Sequence, residues 1–343
     1  MSEAWRIAAE TALYNSAAWL LTYLIHSTVL LGVAALLTRN ERLSPAWESL
    51  IWRSALVGGV ISATGQMVLA ELVTELQPLA AVTLTGGLGR TAVILAGVLS
   101  IAALIAMLRL RTAWSEHQKV IGARRPVGEW ARRDLAVVRR STRYPSAVAL
   151  TESPTLPSPI AIGFGEICIP ASGFEELSPA ERRSVLAHEL AHLAHRDQRW
   201  LILSQVIERA LFFQPLNKLA RRRLRECAEY LADDYAVGHM GNGVALAGAL
   251  TRLAGRMPTA LWPRSPAFAE PSLLLRRGRR ILSGTPAGAR PSAQIRLLIA
   301  GAVLAFALLI PGAQPPCNCR FLDRPQPESV PILAPAPEAT VSE

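Results

Sequence analysis

The sequence predicts a mainly α membrane protein in which about four transmembrane helices carry an inserted α+β domain. Three observations lead there: four long apolar runs, a basic stretch after the third of them, and a polar segment before the fourth that mixes helical and strand-like periodicity. Of the residues, 51% are hydrophobic and 18% charged, with a mean hydropathy of +0.27, which is too apolar for an ordinary soluble chain. The net charge of +10 raises nucleic acid as a ligand. The basic residues cluster beside the apolar runs without interleaved aromatics, so they read as loop-orienting charges, and no direct nucleic-acid contact is expected.

Residues 1–110 are read as an N-terminal membrane region with three spans. No basic n-region and cleavage site precede the first, so it is expected to remain. Residues 17–38 carry no formal charge and are long enough to cross about 30 Å of hydrocarbon. His26 lies inside this span and is assigned no role. Residues 54–70 form a second uncharged run, rich in Gly and Ser as packing faces in membranes are. Residues 91–108 form the third. From Arg109 to Arg143, Arg and Lys outnumber Asp and Glu, and Arg39, Arg42 and Arg53 flank the first connection. This bias puts the N-terminus outside and residues 111–255 in the cytoplasm.

Within that inward segment, residues 128–143 predict a helix ending before Tyr144-Pro145, and residues 147–151 and 160–169 predict strands closed by Pro170. Residues 200–216 predict an amphipathic helix broken by Pro215, and residues 244–253 a further helix. Residues 256–296 are a basic Pro/Gly/Arg-rich linker, residues 297–313 the fourth span, and residues 314–343 a disordered Pro-rich tail facing outward. The four cysteines show neither metal-ribbon nor disulfide spacing. Cys168 and Cys227 are expected as reduced thiols.

The chemistry concentrates in residues 178–197, SPAERRSVLAHELAHLAHRD. Ser178, Pro179 and Glu181 make a capping box that starts a helix. From it His188 and His192 project at i and i+4, so both rings can reach one tetrahedral cation, with Glu189 beside them as a candidate base. His195 lies about 10 Å along the axis from His188, too far to share the ion. It is expected at the surface. A third ligand is sought on a second helix, where Glu229 is the candidate and Glu226 its rival. Asp233, one turn beyond Glu229, is placed to accept the spare ring N–H of a ligand histidine. Tyr230, Tyr235 and His239 are open candidates for oxyanion stabilisation.

HELAHLAHRD, followed by FFQPLNKLARRRLRE and by Glu229-Tyr-Leu-Ala-Asp233, and preceded by SPIAIGFGEICIP, resembles the BlaR/MecR-type integral-membrane zinc metallopeptidases. More distantly it resembles the HtpX/Ste24-type peptidases. The likeness covers roughly residues 17–313 and implies a zincin-like metallopeptidase domain at residues 111–255. It implies one catalytic Zn2+ held by His188, His192 and Glu229, with Glu189 as base and Asp233 behind a ligand histidine. It further implies residence in a bacterial cytoplasmic membrane and a cytosolic protein substrate such as a transcriptional repressor. Membrane-protein quality control is the alternative role, and a zinc-stabilised scaffold the non-catalytic one. Residues 160–165 resemble the strand edge on which such enzymes receive substrate. The sensor members carry a large extracellular penicillin-binding domain that the tail is too short to form, so direct β-lactam sensing is not expected.

Overall fold

The computed structural model describes residues 3–39, 43–72, 82–83, 86–121, 124–163, 165–256, 271–284 and 291–314. Three long helices open the chain, α1 (Glu3–Leu37), α2 (Pro45–Leu72) and α3 (Gly86–Ile121), and α10 (Ala293–Leu308) packs against α2 near its end. The short strands β1 (Val82–Thr83) and β6 (Ala313–Gln314) pair in parallel.

Among the described residues two helices are long and apolar enough to cross a membrane, within Ala8–Leu37 of α1 and Val93–Thr112 of α3. The α3 stretch exposes Ile94, Leu95, Val98, Ile101, Leu104, Ile105 and Leu108, a continuous apolar face that needs a non-aqueous neighbour. The other two expected spans fall on α2, whose 28 residues include no such stretch among the described residues, and on α10, whose 16 residues are fewer than the roughly 20 that a helical span needs.

Small residues let these helices close on one another. A Cβ at Gly59 meets Ser27 Cβ at 3.1 Å, and one at Gly58 meets Val303 of α10 at 2.9 Å. Buried polar groups find partners across the contacts: His26 lies between Ser62 Oγ at 2.9 Å and the Ile310 carbonyl at 3.1 Å.

The polar segment folds as β2 (Arg125–Pro126), α4 (Glu129–Thr142), β3 (Ala149–Ser153), β4 (Ile160–Ile162), β5 (Glu166–Pro170), α5 (Pro179–His195), α6 (Asp197–Ala210), α7 (Pro215–Met240), α8 (Gly243–Arg256) and α9 (Pro271–Leu282). The sheet order is β2-β3-β5-β4, with β3 and β5 parallel and the outer pairs antiparallel. The single strand expected over residues 160–169 is two, because Gly163 turns at φ +58, a conformation only glycine adopts freely. β4 is therefore an edge strand. Ile167 and Ile169 of the sheet pack with Val138 of α4, Leu186 and Leu190 of α5, and Leu246 and Leu250 of α8.

Residues 200–216 also divide. α6 ends at Ala210, and Pro215 opens α7, where its missing N–H is harmless. α7 then serves two cores. Ala220 and Leu224 pack with Leu31 of α1 and Trp52 and Leu56 of α2, whereas Ala236 joins the core around the sheet. Gln214 and Asn217 reinforce the first contact: Gln214 Nε2 donates to Ser27 Oγ at 2.8 Å, and Tyr23 Oη donates to Asn217 Oδ1 at 2.9 Å.

Residues 256–296, read from sequence as a linker, contain α9, whose Leu273 and Ile281 are buried. Cys317, Cys319 and the Pro-rich tail beyond Gln314 lie outside the described residues.

Candidate metal centre

The predicted capping box starts α5: Ser178 Oγ accepts from the Glu181 N–H, and Glu181 Oε2 accepts from the Ser178 N–H at 2.8 Å. With the start fixed, His188 and His192 emerge side by side, ring centroids 4.9 Å apart and planes nearly perpendicular. α7 packs against α5 and brings in Glu229. His188, His192 and Glu229 each offer one ligand atom, and all three atoms lie within 4.8 Å of one another. His188 Nε2 and Glu229 Oε2 are 3.5 Å apart, against about 3.4 Å for two ligands on a tetrahedral zinc with bonds near 2.05 Å. Glu229 Oε2 is buried, with His188 Nε2 and Arg277 Nη1 as its near neighbours, the latter at 2.7 Å. The donor set thus fits a small divalent cation.

Glu226, the rival ligand, is taken by guanidinium groups: Arg276 at 2.9 Å, Arg223 at 3.1 Å and Arg222 at 3.3 Å. It does not join the group. His195 does not join it either, in line with its spacing, but it is not the surface residue expected. It sits at the end of α5 with its ring edge-on to Tyr235, centroids 5.6 Å apart, and is largely buried by that packing. Of the oxyanion candidates, Tyr235 and His239 pack on each other with ring centroids 4.2 Å apart and planes tilted by 40°, and Tyr230 faces the Arg280 guanidinium.

Each histidine of the pair has a carboxylate behind it. Asp233 Oδ1 stands 3.0 Å from His188 Nδ1, and Asp197 Oδ2 stands 3.2 Å from His192 Nδ1. The first follows the sequence expectation; the second was missed. Arg196 closes α5 in the left-handed conformation, φ 56 and ψ 36, and the turn folds Asp197 back under His192. The available signal was an acid directly beyond the last turn of the His-bearing helix.

Sequence reasoning also missed Arg277 of α9. Its side chain is fully buried, donating from Nε and Nη2 to Asp233 at 2.8 and 2.7 Å, with Nη1 2.7 Å from Glu229 Oε2. Burial opposes charge on both carboxylates, but the guanidinium outweighs it and holds Glu229 and Asp233 below their usual range. Burial likewise disfavours the His188 imidazolium, yet Asp233 and Glu229 prevail and raise it to about 9. His192 is raised by Asp197 against the same burial. Without a metal, the pocket favours positive charge at both rings, the electrostatic complement of a cation site.

The model of the BlaR1 peptidase M56 family matches residues 11–244, more than half of the chain. The chain belongs to the M56 peptidase family. The match takes in α1 through the start of α8, including both histidines, Glu229 and Asp233, and leaves α9 outside. The regulatory protein BlaR1 of Staphylococcus aureus is similar, 25% identical over 100 residues. That alignment covers 29% of this chain and 17% of the relative, so the match spans about a sixth of the relative's length. An M56 peptidase acts on a protein or peptide, and a His/His/Glu group is a donor set suited to a metallopeptidase.

Proposed function

We propose that this chain is a membrane-embedded zinc metalloendopeptidase that cleaves a cytosolic regulator, such as a transcriptional repressor, in response to a signal received through its membrane helices. The observation that carries the reading is the meeting of His188, His192 and Glu229 in one group, His188 and Glu229 buried and His192 at its edge, with Glu189 next to the first. In this reading the four apolar segments all span a bacterial cytoplasmic membrane, with the N-terminus outside and the metal centre in the cytoplasm.

His188 and His192, through the nitrogens that do not face Asp233 and Asp197, and the Glu229 carboxylate would hold Zn2+. When bound, the ion supplies Lewis acidity at the scissile carbonyl. Asp233 and Asp197 would hold the two rings in the tautomer whose other nitrogen carries no proton; on His188 that nitrogen lies 3.4 Å from Arg277 Nη2. Glu189 accepts the proton of the attacking water and delivers it to the amide nitrogen as the C–N bond breaks. In this reading a substrate segment adds as a strand along β4, the sheet edge, displacing the Gln198 amide that donates to the Ala161 carbonyl, and is read as an extended backbone rather than a folded surface.

The test compares new protein N-termini across the proteome of cells expressing wild type or Glu189→Gln at matched levels. The reading expects termini that depend on Glu189 in one or two cytosolic regulators. Many cleaved membrane proteins instead would make the chain a quality-control peptidase. No Glu189-dependent terminus, with zinc bound, would leave a metal-stabilised scaffold.

A further inference from the structure

Each histidine of the metal centre is backed by an aspartate, and each aspartate is in turn held by an arginine from outside the α5–α7 pair. Behind His188, Asp233 receives Arg277 of α9 through two parallel hydrogen bonds, 2.8 and 2.7 Å, and the arginine is fully buried. Behind His192, Asp197 receives Arg53 of α2, Nη2 to Oδ1 at 3.3 Å, with that guanidinium stacked over Trp200, 4.9 Å from the ring centre. Both aspartates are about 1% exposed, so neither has water to replace a lost arginine. A buried carboxylate stripped of its cation bears the full desolvation penalty and moves or takes up a proton.

We infer that Arg53 and Arg277 are positioning residues for the metal centre, each setting one ligand histidine through its aspartate. This rests on the metallopeptidase reading above. Arg277 does a second task, since its Nη1 stands 2.7 Å from Glu229 Oε2 and fixes the third ligand as well. The two arginines come from different parts of the chain. Arg53 belongs to α2, within the helix cluster it forms with α1 and α10; Arg277 belongs to α9, beside the peptidase core. A shift of α2 or α9 therefore reaches a ligand histidine through two polar contacts. The metal centre is complete only when both outlying helices are seated.

The test uses the full chain purified in detergent, stripped of metal and reloaded, with zinc affinity measured by competition against a chelator. Arg53→Gln and Arg277→Gln are each expected to weaken zinc binding by about 10- to 100-fold. The visible spectrum of the Co2+-loaded protein, which reports ligand geometry, is expected to change in both. Arg277→Lys restores the charge without the two-pronged geometry and is expected to recover only part of the loss. Arg132→Gln, which removes a surface cation from α4, is expected to bind as wild type does. Circular dichroism of the metal-free proteins identifies a variant that has not folded; Asp197→Asn or Asp233→Asn then carries the test, with the same loss expected.

Zinc affinity of both Gln variants within twofold of wild type, with an unchanged Co2+ spectrum, overturns the inference alone. Tighter zinc binding by Arg277→Gln also overturns it, since the guanidinium would then compete for Glu229 rather than hold it. A wild type that binds no zinc overturns the metallopeptidase reading itself.

Discussion

His192 and Asp197 face each other across the end of α5, Nδ1 to Oδ2 at 3.2 Å, because Arg196 between them takes a left-handed backbone at φ 56. A side chain there costs about 1 kcal/mol or more relative to a right-handed residue. Arg196→Gly is therefore expected to raise the thermal midpoint, by about 1 kcal/mol in stability, and Arg196→Val to lower it. A glycine variant that melts below wild type would mean that the arginine side chain, not the backbone, holds the turn.

The metal-free protein is expected to lose stability as pH rises. The His188 value near 9 lies above the 6.5 of an ordinary histidine, so the fold favours the protonated ring. That contribution is complete below about pH 6.5 and disappears as pH rises through about 9. Denaturant midpoints taken across this window in the presence of a chelator check the sign, and Asp233→Asn is expected to flatten the slope.

Zinc at about a hundred times its dissociation constant is expected to add roughly 2.7 kcal/mol to the stability of the folded chain. Glu229→Gln is expected to lose most of that increment. Calorimetric scans with and without zinc measure both, and an equal increment in the two proteins would remove Glu229 from the ligand set.

Cys227 is expected to resist alkylation in the folded protein. Burial, with Glu48 and Glu226 nearby, raises its thiol well above the ordinary value, so the reactive thiolate is scarce at neutral pH. Cys168 is raised too, chiefly by burial. Mass spectrometry after iodoacetamide treatment at pH 8 is expected to find both unmodified until denaturant is added.

Gly59→Val is expected to destabilise the α1–α2 contact by about 1–3 kcal/mol through overpacking. A Cβ at that position already meets Ser27 Cβ at 3.1 Å and its Cα at 3.2 Å, and backbone cannot swing aside. Gly32 has open space around its Cβ position, so Gly32→Ala serves as the control that leaves the thermal midpoint in detergent in place.

The legible part of the site was its local part. The capping box at Ser178 and Glu181 fixes the phase of one helix, and four-residue spacing then places His188 beside His192 without any tertiary information. Glu229 and Asp233 were legible because they share one turn of α7. Asp197 was not, since its role depends on a left-handed residue that propensity argues against. Arg277 was hidden differently: α9 lies in a stretch whose Pro, Gly and Arg content reads as solvated linker, and a buried arginine is recognisable only once its carboxylates are in place. The same limit applied to the strands, where apolar alternation over residues 160–169 continued across the bend at Gly163. For the membrane region, four apolar runs were read from composition, and α1 and α3 are the two described helices that combine span length with sufficient apolarity.

The course of α7 bears on how this protein can be handled at the bench. One unbroken helix starts at Pro215 against Tyr23 and Ser27 and ends beside the sheet. Cutting the chain to obtain a water-soluble catalytic fragment would strip the apolar partners from Ala220 and Leu224 and leave a greasy stub on the very helix that carries Glu229. Removing α2 as well would take Arg53 with it. Expression trials are better directed at lipid nanodiscs holding the whole chain than at trimmed cassettes.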